Sequence, residues 1–399
     1  MTNRTHWFWW LSSTLAALLA VACGKAATSR PALEWHRQTA VAYLDARQDW
    51  WKSWRGAARG QGTFCVSCHT VLPYALARGT LGTASSSGIS SIQEERLLDN
   101  VRKRTDLWGQ TEPYYASNAR EPNLTAQSRG TEAVLNALVL ASHDAQAGHL
   151  SLAARTAFEH MWSSQLTTGP GAGSWAWLDF GLEPWEAPES QYFGAALGLR
   201  AVNVAPDAYR ADLAIQKNMS SLHAYLMRDY FGQSLLNRSV LLWAVNAEDS
   251  VLDSTLRRAI VRDLIATQRS DGGWGTAALM RVPFFASPHR YLRSWINRSG
   301  RVDQNSDGYA TGLSVIALLA GGTTRHDPAI DRAVSWLVLH QDPKGGFWSS
   351  HSLNGIDSES VGGHFMTDAS TAFASLALAE VARMDDKEAF DAALHRTLR

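Results

Sequence analysis

Two thiols and an imidazole set the chemical question. The chain of 399 residues holds three Cys, and two of them lie in Thr63-Phe64-Cys65-Val66-Ser67-Cys68-His69-Thr70, a Cys-x-x-Cys-His pattern. Thiols at this spacing can add to the two vinyl groups of a single porphyrin while the adjacent imidazole reaches the iron. Cys65, Cys68 and His69 are therefore the candidate attachment residues for one covalent haem c. Parts of the same set serve other chemistries. Cys65 and Cys68 could close a local disulfide in an oxidising compartment. As half of a zinc site they would need two more ligands, and no Cys follows Cys68.

The first residues indicate the compartment. Arg4 precedes an apolar run from Trp7 to Ala22, the length of a secretory core and short for a membrane span. The run ends Leu19-Ala20-Val21-Ala22-Cys23-Gly24. This resembles a bacterial lipoprotein signal, with Ala20 where such boxes usually carry Leu. The resemblance implies that Cys23 becomes the lipidated first residue and a membrane tether, while Ala20-Val21-Ala22 fits ordinary signal-peptidase cleavage too. Residues 1–22 read as a signal peptide, and the mature protein as exported: periplasmic, or a membrane-anchored lipoprotein. Lys+Arg and Asp+Glu both number 37, so no net field favours nucleic acid. With 45% hydrophobic and 19% charged residues, the rest must be a packed body.

From about residue 33 two kinds of helical segment alternate. One kind is amphipathic: Glu34 to Trp54, Ile92 to Trp108, Leu152 to Gln165, Tyr209 to Arg228, Leu256 to Gln268 and Ala329 to Gln341. The other is small and apolar nearly all round: Thr70 to Arg78, Gly130 to Ala141, Gln191 to Val202, Leu236 to Val245, Tyr309 to Ala320 and Asp368 to Ala379. An inner ring wrapped by an outer ring buries both patterns. The expected body is all-α, an (α/α)6 toroid over residues 33–399, with residues 65–69 in its first repeat and no separate cytochrome c domain.

The joints carry a resemblance. Gln268-Arg269-Ser270-Asp271-Gly272-Gly273-Trp274-Gly275 and Gln341-Asp342-Pro343-Lys344-Gly345-Gly346-Phe347-Trp348 are similar to the Gln…Gly-x-Trp repeats of squalene cyclases and related terpene-cyclase and prenyltransferase toroids. Gln165 to Trp175 and Gln48 to Trp54 are looser versions. The resemblance implies the fold, and an isoprenoid or other apolar small molecule in the toroid cavity. It does not extend to the family's chemistries. Where the cyclases place an Asp-x-Asp-Asp acid, this chain has Asp303-Gln304-Asn305-Ser306-Asp307, and Asp307 reads as a helix cap. The zinc-binding Cys of the prenyltransferases and the Cys-Gly-Glu-Gln of toroidal thioester domains are absent.

Over five residues, Cys65 to His69 resembles the c-type cytochromes, which implies iron, electron transfer and a redox partner protein. A free-standing module of that family supplies a distal Met some tens of residues downstream, whereas the next Met here is Met161. The site must then be built into the toroid. Closure sets repeat six beside repeat one and brings Gly362-Gly363-His364-Phe365-Met366-Thr367-Asp368 toward His69. Met366, or else His364, is the candidate distal ligand. Packing for the Met and helix-end hydrogen bonding for the His are the plainer roles. Arg238 is the candidate partner of haem propionates, while Arg129 and Glu132 read as an i,i+3 pair. Two other functions stay open: an isoprenoid-binding toroid with a structural Cys pair, and a carbohydrate-active barrel using Glu183 and Glu186 in the Trp-rich loop from Trp175.

Overall fold

The computed structural model describes residues 34–83, 91–246, 251–282 and 305–397. The leader, Cys23 and Asp303 lie outside them. Twelve helices of ten or more residues follow one another among the described residues. They are α1 (Arg37–Ser53), α2 (Val71–Thr83), α3 (Ile92–Asp106), α4 (Leu124–Asp144), α5 (Leu152–Ser163) and α6 (Ser190–Val204), then α7 (Gln216–Asp229), α8 (Leu235–Ala244), α9 (Ser254–Thr267), α10 (Gly308–Ala320), α11 (Pro328–Leu339) and α12 (His364–Thr397). Even-numbered helices pack on one another in succession from α2 to α12, and α12 returns onto α2. The odd-numbered helices lie outside them. The result is an all-α (α/α)6 toroid.

Residue pattern explains the two rings. Every residue of α10 from Gly308 to Leu318 is buried, whereas α9 buries only Ile260 and Leu264. Polar caps fix where helices begin: Ser91, Ser151, Ser234, Asp253, Asp307 and Asp327 each accept an amide hydrogen bond at a helix start. Three boundaries differ from the sequence expectation. The fourth outer segment is broken into Asp207–Arg210 and α7, because Asp212 caps a separate turn. Helix α4 starts earlier than Gly130, and α12 runs past Ala379 through charged residues to Thr397. A ribbon of β1 (Ala58–Arg59) and β2 (Thr63–Phe64) is too short to leave an alternating pattern. Among the described residues no helix is long and apolar enough to cross a membrane.

The joints explain closure. Gln268 Nε2 donates to the carbonyls of Gly272 and Ala329, both at 2.8 Å, tying its loop to the first turn of α11. Gln165 does the same with Gly173 and Asn218, at 2.9 and 3.0 Å. Gln341 bonds Gly346 and then His36 at the head of α1, donating to its carbonyl at 3.0 Å and accepting its amide at 2.7 Å. This last joint links the sixth repeat to the first. Trp175, Trp274 and Trp348 are fully buried, and each indole N–H donates to a carbonyl near the end of the outer helix before it, Met161, Leu264 and Leu337. Gly272 has φ +94°, and a Cβ there would sit 2.7 Å from the Arg332 carbonyl of α11, so the joint requires glycine.

The segment from Gln48 to Trp54 is not such a joint. Gln48 lies inside α1, and it is Trp51 whose indole N–H turns inward, donating to the Cys65 carbonyl at 2.8 Å. The first repeat replaces the Gln and Trp device with the ribbon and the thiol motif.

Candidate thiol and imidazole centre

Local structure places the motif. Asn100 of α3 grips Phe64, accepting its amide at 2.8 Å and donating to its carbonyl at 3.0 Å, and the Cys65 amide donates to Ala57. Ser67, between the thiols, accepts from the amides of Thr70 and Val71 at 3.2 and 3.1 Å. The motif thus caps α2 itself, and His69 lands where an inner helix begins.

His69 is buried, and a proton chain sets its tautomer. Its Nδ1 lies 3.0 Å from Thr70 Oγ1, and that hydroxyl donates to Asp368 Oδ2 at 2.8 Å. A hydroxyl that has given its proton to a carboxylate can only accept from the ring. Nδ1 therefore carries the hydrogen and Nε2 keeps a bare lone pair. Asp368, in the second turn of α12, also accepts from Tyr43 at 2.9 Å and from both sides of Arg47 at 2.7 and 3.0 Å. Burial, helped by the Arg47 charge, lowers the His69 pKa to about 3, so the ring is neutral at ordinary pH. Phe365 stacks on its face at 3.7 Å and Trp51 meets it edge-on at 5.2 Å.

The thiols are unbridged and buried. Tyr115 neighbours Cys65, and the Glu186 carboxyl neighbours Cys68, near enough for each to act on the other's ionisation. Burial pushes Cys65 up to about 11 and Cys68 well above its usual range, so both stay protonated and weakly nucleophilic. In haem-free folded protein, Ellman's reagent is expected to react with Cys65 and Cys68 only as fast as the fold opens. Immediate stoichiometric reaction would contradict their burial.

Burial also raises Glu186 to about 7, with the nearby Cys68 thiol acting in the opposite direction. The sign of its pH effect follows. A carboxyl raised in the folded state stabilises fully below its unfolded value near 4.3, and that contribution drains away as pH climbs toward 7. Glu186→Gln is expected to match the parent at pH 4 and to exceed it at pH 8 by up to about 3 kcal/mol in urea unfolding. Equal differences at both pH values would refute this assignment.

The closed ring does bring repeat six to the motif. His69, Glu183, Trp185, Glu186, Phe365 and Met366 line one cavity of about 20 Å³, room for a single water. His364 does not line it, because it sits a half-turn away on α12 and is partly exposed. Arg238 is elsewhere as well: its guanidinium pairs with Asp263 of α9 at 3.3 Å and lies over Tyr230. The side chain is thus engaged by the outer helix packed on α8. Arg129 and Glu132 do pair, at 3.3 Å. Asp307 is a cap, accepting from the Ala310 and Thr276 amides and the Thr276 hydroxyl at 2.8, 2.6 and 2.9 Å.

The donors suit a haem iron and its thioether links: two thiols, a neutral imidazole with a free Nε2, and a thioether. Space is tighter. Beside His69 there is room for water alone, while a groove of about 610 Å³ opens on the far side of Tyr115, lined also by Arg59, Tyr114 and Phe180. No group of three or more His, Cys, Asp or Glu among the described residues is arranged to hold a bare metal ion. Sequence reasoning missed Thr70, Asp368, Tyr115 and Asn100. Of these, Asp368 alone had a signal, its place beside the motif in a closed ring.

With ring and centre described, the class of protein is clear: an all-α toroid like that of the squalene cyclases. Residues 281–394 match the squalene-hopene cyclase C-terminal domain. Among solved structures, the apo type II terpene cyclase MstE from Scytonema is similar at TM-score 0.45 and 13% identity, covering 87% of this chain and 99% of that one. A variant of that cyclase in complex with geranylgeranyl dihydroxybenzoate gives 0.47 and 13%, covering 87% and 98%. A wild-type glycosidase gives 0.48 and 12%, covering 86% and 97%. No curated protein matches the chain.

Proposed function

We propose that this chain is an exported, squalene-cyclase-like toroid that carries one covalent haem c on Cys65 and Cys68, with His69 as an iron ligand, and serves in electron transfer with a partner protein. One observation carries the reading: the Asp368, Thr70 and His69 chain leaves Nε2 unprotonated in a ring that stays neutral. Such a nitrogen is ready to bind iron. The group, when bound, supplies one-electron chemistry. The protein's own work is to orient the imidazole, exclude water through Trp51, Trp185 and Phe365, and offer Met366 as second iron ligand from the neighbouring repeat. Because both thiols are buried, loading precedes packing of the turn around Trp185. The exported location, with Cys23 as a lipid tether, belongs to the same proposal.

Intact-mass and absorption measurements on protein made in a host competent for cytochrome maturation test it. One added haem and a Soret band are expected, both lost in a Cys65→Ala, Cys68→Ala variant. Unchanged iron spectra in Met366→Ala and His364→Ala would remove those two residues as ligands. A bare, colourless polypeptide would favour the second reading, an isoprenoid-binding toroid in which the Cys pair is structural. The closed packing around His69 and the match over residues 281–394 support that reading.

A further inference from the structure

At the other end of the ring, where the inner helices finish, lies a cavity of about 660 Å³. All six inner helices contribute to its wall, with Leu76, Val139, Trp243, Ile316 and Leu376 among the apolar residues, and α3 adds Leu97 and Leu98. A chamber of this size and lining is suited to a small molecule.

Its charged residues are unequally served. Arg383 grips both oxygens of Glu380, at 3.1 and 2.6 Å. Glu94 is faced by Arg78 and His143. Arg200 of α6 has no such partner among the described residues. Its Nη1 makes one long bond of 3.3 Å to the Trp243 carbonyl, its buried Nε makes none, and its guanidinium lies over the Trp243 ring at 4.9 Å. The carboxylate acting on it is Glu380, whose oxygens Arg383 already occupies. Burial with so little compensation pulls the Arg200 pKa down to about 10, still cationic at ordinary pH. A half-buried guanidinium beside a largely apolar chamber, its Nε enclosed and without a bond, is half of a carboxylate site.

We propose that this chamber binds an amphipathic monocarboxylate, such as a medium- or long-chain fatty acid, with Arg200 on the carboxylate and the hydrocarbon along the apolar wall. The inference rests on the toroid interior being a ligand chamber, as the second functional reading has it, and is independent of the haem. It adds an anionic head to the ligand.

Titration calorimetry on the full exported protein with dodecanoate and with 1-dodecanol tests it. Dodecanoate is expected to bind at least about 10-fold tighter than the alcohol, since a charge-assisted bond to the Arg200 guanidinium is lost with the hydroxyl. In Arg200→Met the preference should vanish while alcohol binding survives, which also certifies that the variant is folded. Should Arg200→Met fail to fold, Arg200→Lys should keep a reduced preference. Equal affinities for acid and alcohol in the parent would overturn the carboxylate site and leave an apolar chamber. Failure of both to saturate would overturn the site and the isoprenoid-binding reading together, and a preference that persists in Arg200→Met would overturn the role of Arg200. The Soret band of the same samples reports on the haem separately.

Discussion

Replacing Asp368 with Ala is expected to lower the free energy of unfolding by about 3–5 kcal/mol, measured by urea denaturation. The carboxylate is 1% exposed and takes four hydrogen bonds, from Tyr43, Thr70 and both sides of Arg47. Its loss strands a guanidinium and a phenol between the first and last repeats. Arg47 retains some access to water, which places the effect toward the lower figure. Thr70→Val, which removes one of those four bonds together with the link to His69 but leaves Arg47 and Tyr43 paired, should cost about 1–2 kcal/mol. In haem-loaded protein it should perturb the iron spectrum more than the stability. A change below about 1 kcal/mol for Asp368→Ala would mean that Asp368 does not hold the ring shut.

Glu132→Ala should be comparably severe, also about 3–5 kcal/mol. Arg104 and Glu132 are fully buried and meet at 2.6 Å, and the two terminal nitrogens of Arg104 donate to Thr63 Oγ1 and the Glu112 carbonyl, each at 2.8 Å. Tyr114 lies against its guanidinium at 4.4 Å. Removing the carboxylate leaves a buried cation with no counter-charge and Arg129 without its partner. Arg104→Met with Glu132→Leu should recover most of the loss, because a buried ion pair is replaceable by apolar volume when both charges go together. If the double variant is no better than the single one, the bonds to Thr63 and Glu112 matter more than charge balance.

Periodicity made the rings readable. Inner segments such as Tyr309 to Ala320 are apolar on every side, and outer ones such as Leu256 to Gln268 on one, so each helix declared its layer. The Gln and Trp joints were readable because half of each is local: the Gln bonds the glycine of its own turn and the Trp a carbonyl of the helix just before, while the bond from each Gln to the next outer helix was not. What sequence could not supply was direction. Arg238 starts an inner helix as expected, yet its long side chain reaches outward to Asp263. Met366 and His364 are two residues apart, and helical rotation puts only the first against His69. The 660 Å³ chamber and the solitary Arg200 were invisible for a related reason: the residues lining it come from seven helices spread along the chain.

The hold of Gln341 on the turn at His36 bears on how the molecule is made. A polypeptide delivered front end first completes α1 long before residue 341 arrives, and until then α1 lacks its last neighbour. During synthesis the protein is a horseshoe with two raw edges, and every repeat waits for the sixth. A chain cut short before that point is prey for proteases, not a smaller barrel.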